Sequence, residues 1–246
     1  MDKLAGLILE SRHTTVLTGA GVSTLSGIPD FRGKDGIYRK FDADRLFSID
    51  EFRNNPSYFY ENSKEIVYSA HEKTPNIIHT VLADLERKGL VKSVITQNID
   101  MLHTKAGSKK VIEIHGSPAL HRCTKCGDQF PYDDVIKIIT KGEIPRCGKC
   151  NGYVKPEIVF YGEQLNQQHL WNAIQEAEKS DLMLILGSSL VVNPVASLPL
   201  HTLQGGGKIV IVNNQPTHLD TYAAAKYDDL EKVFKHLAQT EWDVLR

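Results

Sequence analysis

The chain has 246 residues, of which 41% are hydrophobic and 24% are charged, as in ordinary globular proteins. Its formal net charge of −1 excludes a strong overall field that would steer it to nucleic acid or to an acidic membrane surface. No apolar run reaches about 18 residues, so no transmembrane helix is expected. Residues 1–10 lack the pattern of a secretion signal, and we therefore expect a cytoplasmic protein.

Short apolar runs separated by helical patterns predict the main sheet. The spacing of Leu4, Leu7 and Ile8 indicates an amphipathic first helix. Nearly continuous apolar character is typical of strands that are covered on both faces, as in a doubly wound parallel sheet. Such runs occupy residues 16–17, 94–95, 182–186 and 208–212. The sequence therefore predicts an α/β protein with a parallel sheet.

The loop after the first predicted strand combines two patterns. Gly19 and Gly21 form a Gly-x-Gly turn, which lets the backbone and a helix N-terminus approach a phosphate. Thr24 stands where the common dinucleotide fingerprint has its third glycine. The loop ends on an acid, an aromatic ring and a base, which a phosphate site alone does not need: Asp30, Phe31 and Arg32. We expect a loop that binds a dinucleotide, closes over it and takes part in chemistry.

A polar segment follows the apolar run at residues 94–95. Because ligands bind at the carboxyl ends of parallel strands, we expect Gln97, Asn98 and Asp100 at the functional edge of the sheet. The alternative is a helix N-cap followed by ordinary acidic residues. Three amide and acid groups around the single Ile99 exceed the needs of a cap, which favours a ligand site.

His115 ends the predicted strand over residues 111–115 and precedes Gly116. An imidazole with a near-neutral pKa can act as a general base. A histidine at a strand end is more often structural, so the residues alone leave both interpretations open.

Two segments interrupt the alternation of strands and helices. Residues 39–75 are rich in aromatic and charged side chains and predict a small helical module. Residues 119–154 hold all four cysteines and few large apolar side chains. This second segment is too small to fold on apolar burial alone, so it needs another source of stability.

The cysteines form two Cys-x-x-Cys pairs separated by 20 residues, which predicts a zinc site. Four thiolates leave no coordination position for water, so the metal would be structural. Disulfides or a redox pair are the alternatives, but disulfides are rare in the cytoplasm. Nearby basic residues allow a nucleic-acid-binding ribbon, although such charges more often form a solvated face. The expected ligands are Cys123, Cys126, Cys147 and Cys150.

The ordered motifs closely resemble those of the sirtuins, the NAD-dependent protein-lysine deacylases. They are GAGVS at 19–23, SGIPDFRG at 26–33, TQNID at 96–100, HG at 115–116, the two cysteine pairs, GE at 162–163, GSS at 187–189 and VN at 212–213. They keep the family's order over roughly residues 1–230. The compact length resembles a bacterial or archaeal member.

The resemblance implies a Rossmann-like part, residues 1–38, 76–118 and 155–246, with NAD in the cleft beside a smaller domain. The smaller domain would combine the helical residues 39–75 with the zinc-binding residues 119–154. His115 and Asn98 would be catalytic, with His115 as the general base. The implied NAD-binding residues are Gly19, Ala20, Gly21, Thr24, Asp30, Phe31, Arg32, Gln97, Asn98, Ile99, Asp100, His115, Gly187, Ser188, Ser189 and Asn213.

The resemblance also implies a reaction that consumes NAD. Nicotinamide leaves C1′ of the ribose, the acyl oxygen of acyl-lysine attacks that carbon, and His115 deprotonates a ribose hydroxyl. The products would be nicotinamide, free lysine and O-acyl-ADP-ribose. Two backbone edges would pair with the substrate peptide. Their implied residues are Val159, Tyr161, Gly162, Glu163, Leu190, Val191 and Asn193.

Two positions bear on the acyl group. The resemblance implies an apolar tunnel that would hold the acyl-lysine side chain. Many members have Phe where this chain has Tyr161, and a tyrosine hydroxyl in such a tunnel needs a partner or solvent. Members that remove acidic acyl groups have a Tyr-x-x-Arg pair, whereas here Tyr60 is followed by Ser63. Because the bidentate arginine is missing, we expect acetyl or another uncharged acyl group rather than succinyl.

Two other functions remain as alternatives. A protein mono-ADP-ribosyltransferase would use the same cleft with another acceptor, and a non-catalytic module would sense NAD or bind partners through zinc. His115 and the apolar tunnel favour deacylation over the first. The complete set of Asp30, Asn98, Asp100 and His115 argues against the second.

Overall fold

The computed structural model describes residues 2–30, 36–37, 42–69 and 72–242. The strands are β1 (Thr14–Thr18), β2 (Val91–Thr96), β3 (Val111–Glu113), β4 (Gly116–Cys123), β5 (Gln129–Pro131), β6 (Val154–Ile158), β7 (Leu182–Leu186), β8 (Lys208–Val212) and β9 (Ala225–Tyr227). The α-helices are α1 (Asp2–Glu10), α2 (Ala43–Leu46), α3 (Ile49–Asn54), α4 (Pro56–Asn62), α5 (Ile77–Arg87), α6 (Leu102–Ala106), α7 (Tyr132–Ile139), α8 (Gln167–Lys179), α9 (Leu198–Gln204) and α10 (Leu230–Gln239). None of the helices in these ranges combines the length and apolar composition that crossing a bilayer requires.

Six strands form one parallel sheet in the order β3-β2-β1-β7-β8-β9. The central strands β1 and β7 are buried along their whole length. Because successive residues point to opposite faces, Val16 packs with α1, α5 and α10, whereas Leu17 packs with α8 and α9. Cover on both faces explains the continuous apolar runs and confirms the predicted α/β class with a parallel sheet.

The strand order reverses between β1 and β7. The chain proceeds outward from β1 through β2 to β3, and later outward from β7 through β8 to β9. In open α/β sheets, ligands bind at such a switch point, outside the carboxyl ends of the strands. The loops that follow β1 and β7 therefore flank the expected binding crevice.

A second, antiparallel sheet has the order β5-β4-β6. Helices α2, α3, α4 and α7 contribute to a core of mainly aromatic side chains beside it. The ring centroid of Phe160, which follows β6, lies 5.6 Å from that of Phe52 and 5.0 Å from that of Phe59. The aromatic residues of the helical segment thus share one core with the cysteine-containing segment.

Candidate active site

A cavity of about 850 Å³ opens at the switch point. Its lining brings together predicted residues from several loops: Gly19, Ala20, Gly21, Thr24, Asp30, Gln97, Asn98, Ile99, His115, Val159, Tyr161, Gly187, Ser188, Ser189 and Asn213. Phe31 and Arg32 lie outside the described residues. Six predicted residues are described but do not line the cavity: Asp100, Gly162, Glu163, Leu190, Val191 and Asn193.

The glycine loop, residues 19–26, begins against the backbone of the loop after β7. A Cβ atom on Gly19 would lie 2.7 Å from the carbonyl oxygen of Gly187, and one on Gly21 would lie 2.8 Å from Gly187 Cα. The N–H groups of Gly19 and Gly21 donate to the carbonyl oxygens of Leu186 and Gly187, each at 3.0 Å. The Gly-x-Gly pattern therefore lets the glycine loop pack against the loop after β7. The backbone N–H groups of both glycines already donate to protein carbonyl oxygens.

Two amide side chains are fixed at the cavity wall. They follow β2, which pairs with β1, so they lie beside the glycine loop. Gln97 Nε2 donates to Ser188 Oγ at 2.8 Å. Asn98 is buried, and its Nδ2 donates to the carbonyl oxygen of Gly19 at 3.2 Å and to Ser23 Oγ at 3.1 Å. Because these bonds orient both amides without a ligand, the wall is pre-organised.

Asp100 lies behind this wall. Its Oδ2 accepts from Ser23 Oγ at 2.6 Å, and its Oδ1 accepts from the backbone N–H of Leu102 at 2.9 Å. Part of its hydrogen bonding thus serves the start of α6, as the capping alternative suggested. Ser23, which links Asp100 to Asn98, ends the GAGVS motif but was not among the residues predicted to form the site.

His115 follows β3 and contributes an imidazole to the cavity. Its Nδ1 lies 2.9 Å from the carbonyl oxygen of Gln97. A carbonyl oxygen can only accept, so Nδ1 carries the proton and Nε2 of the neutral ring is free of one. Burial lowers the pKa of His115, and the hydrogen bond to Gln97 partly opposes this shift. At neutral pH the ring can therefore accept a proton at Nε2, as a general base must.

One predicted peptide edge is anchored to its surroundings through its backbone. The N–H of Val159 donates to the carbonyl oxygen of His115 at 2.8 Å. The N–H of Tyr161 donates to Phe47 and its carbonyl oxygen accepts from Ile49. Tyr161 is 46% exposed, so its ring is not enclosed on all sides.

The turn that ends this edge is held by a charged pair. Gly162 adopts a φ of 92°, which favours glycine. The Glu163 carboxylate accepts from the backbone N–H of Phe160 at 2.8 Å and lies 2.8 Å from Lys155 Nζ. These contacts brace the turn. Lys155 was also not named from the sequence, although a lysine inside a buried strand is a usable signal.

The other predicted edge follows Ser189. Val191 is 61% exposed and Asn193 is exposed, whereas Leu190 is 3% exposed and has a φ of 53°. Because buried and exposed side chains alternate along this edge, the Val191 side chain lies at the surface. The next residue, Val192, lines the cavity.

The cavity extends to residues that the sequence analysis did not name. The start of α10 could have been recognised from the sequence, because Asp229 is a typical N-cap residue; it accepts from the N–H of Lys232 at 2.9 Å. Helix α10 follows β9, so its start lies at the same edge of the sheet as the cavity. The additional lining residues are Leu25, Phe47, Ile158, Val192, Asn214, Gln215, Asp228, Asp229, Leu230, Glu231 and Lys232.

The four cysteines form one cluster in which all Sγ atoms lie within 4.8 Å of one another. Two Sγ–Sγ distances are 3.4 and 3.6 Å. Four Zn–S bonds of about 2.3 Å in a tetrahedron place sulfur atoms about 3.8 Å apart, so the cluster fits zinc and not disulfides. Gly152 allows this packing, since a Cβ there would lie 2.7 Å from Cys123 Sγ. None of the four lines the cavity, which agrees with a structural site.

Comparisons with known proteins cover nearly the whole chain. A family model described as the Sir2 family matches residues 19–194. The chain is 49% identical over 228 residues to the NAD-dependent protein deacetylase of Thermotoga maritima, covering 93% of this chain and 92% of the relative. It is 47% identical over 219 residues to NAD-dependent protein deacylase 2 of Archaeoglobus fulgidus, covering 89% and 86%.

Solved structures are similar over the same extent. One contains a Sir2 variant, a deacetylated p53 peptide and 3′-O-acetyl ADP ribose; it has a TM-score of 0.93 and 46% identity over 98% of each chain. Another contains Sir2Tm bound to a propionylated peptide, with a TM-score of 0.87 and 44% identity, covering 97% of this chain and 96% of that one.

Proposed function

The chain belongs to the Sir2 family, and we propose that it removes acetyl or other uncharged acyl groups from protein lysines. NAD is consumed as a co-substrate, and the products are nicotinamide, free lysine and O-acyl-ADP-ribose. One observation carries the proposal: a neutral His115, with its proton held on Nδ1 by Gln97, faces a cavity that also contains Asn98. Names and bound peptides of the similar proteins support the substrate class.

The roles of the lining residues follow from their positions. After nicotinamide leaves C1′ and the acyl oxygen bonds that carbon, Nε2 of His115 would take a proton from a ribose hydroxyl. That oxygen would attack the acyl carbon, and water would then complete the release of free lysine and O-acyl-ADP-ribose. Gln97 and Asn98 bind the nicotinamide and ribose end, where amide groups can pair with a carboxamide. Ser188 and Asn213 bind the phosphate and adenosine end. Asp30, with Phe31 and Arg32, belongs to the segment that covers the reacting sugar.

The preference for an uncharged acyl group rests on residues 60–63. Tyr60 is 2% exposed, and its hydroxyl donates to the carbonyl oxygen of Val154. Ser63 is fully buried and cannot supply the guanidinium that would bind a second carboxylate. Turnover of matched acetyl-lysine and succinyl-lysine peptides tests this preference, and faster desuccinylation would refute it.

The decisive experiment measures NAD-dependent deacetylation of an acetyl-lysine peptide, with mass spectrometry of the peptide product. Wild type should yield free lysine and one O-acetyl-ADP-ribose per nicotinamide released. His115→Ala should lower turnover by about 100-fold or more, the usual contribution of a general base. ADP-ribose attached to the peptide would favour the transferase alternative, and unchanged turnover in His115→Ala would refute the assignment of the base.

The smaller domain and the cell compartment complete the proposal. We assign residues 39–75 and 119–154 to the smaller domain, and residues 1–38, 76–118 and 155–246 to the NAD-binding domain. The separate antiparallel sheet and its aromatic core support this division. Cysteines arranged as zinc ligands suit a reducing compartment, which supports the cytoplasm.

A further inference from the structure

Two buried histidines lie behind the cavity wall and take no part in the proposed reaction. His79 lies in the first turn of α5 and His103 lies in α6. They are 0% and 2% exposed, and their ring centroids are 4.8 Å apart. Placing two imidazoles in a core layer needs a reason, because each ring brings polar nitrogen atoms out of water.

His103 connects to Asn98 through two threonines at the strand ends. His103 Nε2 lies 3.0 Å from Thr18 Oγ1, and Thr18 Oγ1 donates to Thr96 Oγ1 at 2.9 Å. Thr96 Oγ1 also accepts from the backbone N–H of Asn98 at 3.0 Å. Because the Thr18 proton is used on Thr96, His103 Nε2 is the donor in its bond to Thr18. This chain of bonds crosses from α6 over the ends of β1 and β2 to the cavity wall.

His79 connects to the glycine loop through Asn76. Its Nδ1 accepts from the Asn76 N–H at 3.3 Å, which completes the capping box of α5. Asn76 Nδ2 in turn donates to the carbonyl oxygen of Val22 at 2.8 Å and to Ser26 Oγ at 2.9 Å. The far end of the glycine loop is therefore held by a helix start that His79 completes.

Each ring leaves one nitrogen atom, His79 Nε2 and His103 Nδ1, without a hydrogen-bond partner among the described residues. An unpaired buried nitrogen costs free energy, whereas a leucine would fill similar space without that cost. Burial lowers the pKa of His79 to about 4 and that of His103 to about 3, so both rings are neutral at neutral pH. Asp100 is the charged group that opposes this shift at His79. Stability alone therefore does not favour this pair.

We propose that His79 and His103 are positioning residues that hold Asn98 and the glycine loop in the arrangement that binds NAD. The two sets of hydrogen bonds, one from His103 to Asn98 and one from His79 to the glycine loop, are joined where the two imidazole rings contact each other. They meet again at Asn98, whose Nδ2 donates to Gly19 and Ser23 at the start of the same loop. The histidines thus close a circuit of contacts around the base of the loop. The inference rests on the proposed function only in taking NAD as the ligand.

The test compares His103→Gln with His103→Asn. Both side chains are polar amides, but the glutamine nitrogen reaches the position of Nε2, whereas asparagine is one carbon too short to reach Thr18. For His103→Asn, the Kd for NAD from calorimetry and the KM for NAD should rise about tenfold, as for one lost buried hydrogen bond. His103→Gln should stay within about threefold of wild type. The KM for the acetyl-lysine peptide should not change in either variant.

His79→Gln, which keeps the capping bond, and His79→Leu, which loses it, test the other branch in the same way. The matched control is Leu85→Ala, a buried residue further along α5, which should lower thermal stability and leave the Kd for NAD unchanged. Equal Kd values for the two His103 variants, or an equal rise in Leu85→Ala, would overturn the proposal. If the wild type binds NAD but deacetylates no peptide, the proposed function fails while these binding comparisons still decide the role of the histidines.

Discussion

The imidazole of His115 is hydrogen-bonded through Nδ1 to the carbonyl oxygen of Gln97, at 2.9 Å. This bond ties the proposed base to the loop that carries Asn98, so the tautomer of the base and the amide wall are fixed by the same short segment. Burial lowers the pKa of His115, which keeps the ring neutral and basic at Nε2 over more of the acidic range.

The pH dependence of activity follows from that shift. Only the neutral ring accepts a proton, so kcat/KM for an acetyl-lysine peptide should be constant from about pH 7 to 8 and fall in acid. The midpoint should lie below about 6.5, the ordinary value for histidine. His169 is a suitable control, because its Nδ1 also bonds a backbone carbonyl, that of Glu113, outside the cavity. His169→Gln should leave the profile unchanged, and a wild-type midpoint above pH 7 would contradict the assignment.

Acid stability should depend on His79 and His103, among other buried histidines. The pKa of His79 is about 4 and that of His103 about 3 in the folded protein, against about 6.5 when unfolded. Below about pH 6.5 the unfolded chain binds more protons, so stability is complete above that pH and is lost as the pH falls towards 4. At pH 5 the loss is about 2 kcal/mol for each histidine.

Urea unfolding of wild type and His103→Gln between pH 5 and pH 7 measures this effect. Glutamine does not titrate, so the slope of unfolding free energy against pH should decrease by up to about 1.4 kcal/mol per pH unit. Equal slopes for the two proteins would mean that folding does not shift the pKa of His103.

Continuous apolar runs and local spacing were sufficient to predict much of the fold. The strand at 182–186 was predicted with its observed bounds, because a strand covered on both faces has no polar side to interrupt the pattern. The cysteine cluster was equally predictable, since two tight turns bring each pair of ligands together locally.

Contacts between distant segments were not predictable in the same way. Gly19 and Gly21 were interpreted as a phosphate-binding turn, but their N–H groups bond Leu186 and Gly187, which lie far away in the sequence. Likewise, Asp100 was grouped with the ligand-binding amides, yet its carboxylate is directed to Ser23 and the start of α6. The sequence positions of the polar residues predict that they lie at one edge of the sheet. The direction of each side chain depends on hydrogen-bond partners from distant segments, which come together only in the folded protein.

Loss of the metal should destabilise the smaller sheet. Cys147→Ser removes one buried ligand, so bound zinc should fall below one per chain and the Tm should drop by about 10 °C or more. Metal analysis with calorimetry measures both quantities. Lys149→Ala is the control on the same turn, because it removes an exposed ion pair of 2.7 Å with Asp128 but no thiolate ligand. Full zinc content and wild-type Tm in Cys147→Ser would refute a four-cysteine site.

The Lys155–Glu163 pair should control peptide binding without touching NAD. Lys155 Nζ also donates to the carbonyl oxygens of Pro156 and Ile158, and it lies 4.0 Å from the centroid of the Phe160 ring. Neither Lys155 nor Glu163 lines the main cavity. Their ion pair nevertheless fixes the turn that follows the predicted peptide edge. Lys155→Met should therefore raise the KM for the acetyl-lysine peptide about tenfold, through a loosened edge, and leave the KM for NAD unchanged.

A double-mutant cycle separates this pair from general destabilisation. Glu163→Gln leaves the buried Lys155 ammonium without its counter-charge and should cost about 2–4 kcal/mol of unfolding free energy. Lys155→Met should cost less, because the Glu163 carboxylate is 30% exposed and keeps its hydrogen bond from the Phe160 N–H. The double variant should be less destabilised than the sum of the two, because it leaves no uncompensated charge. Additive losses would show that the two side chains act independently. If the ion pair acts only on the peptide edge, the KM for the peptide should rise and the KM for NAD should not. An equal rise in both KM values would mean that the two variants disturb the whole fold.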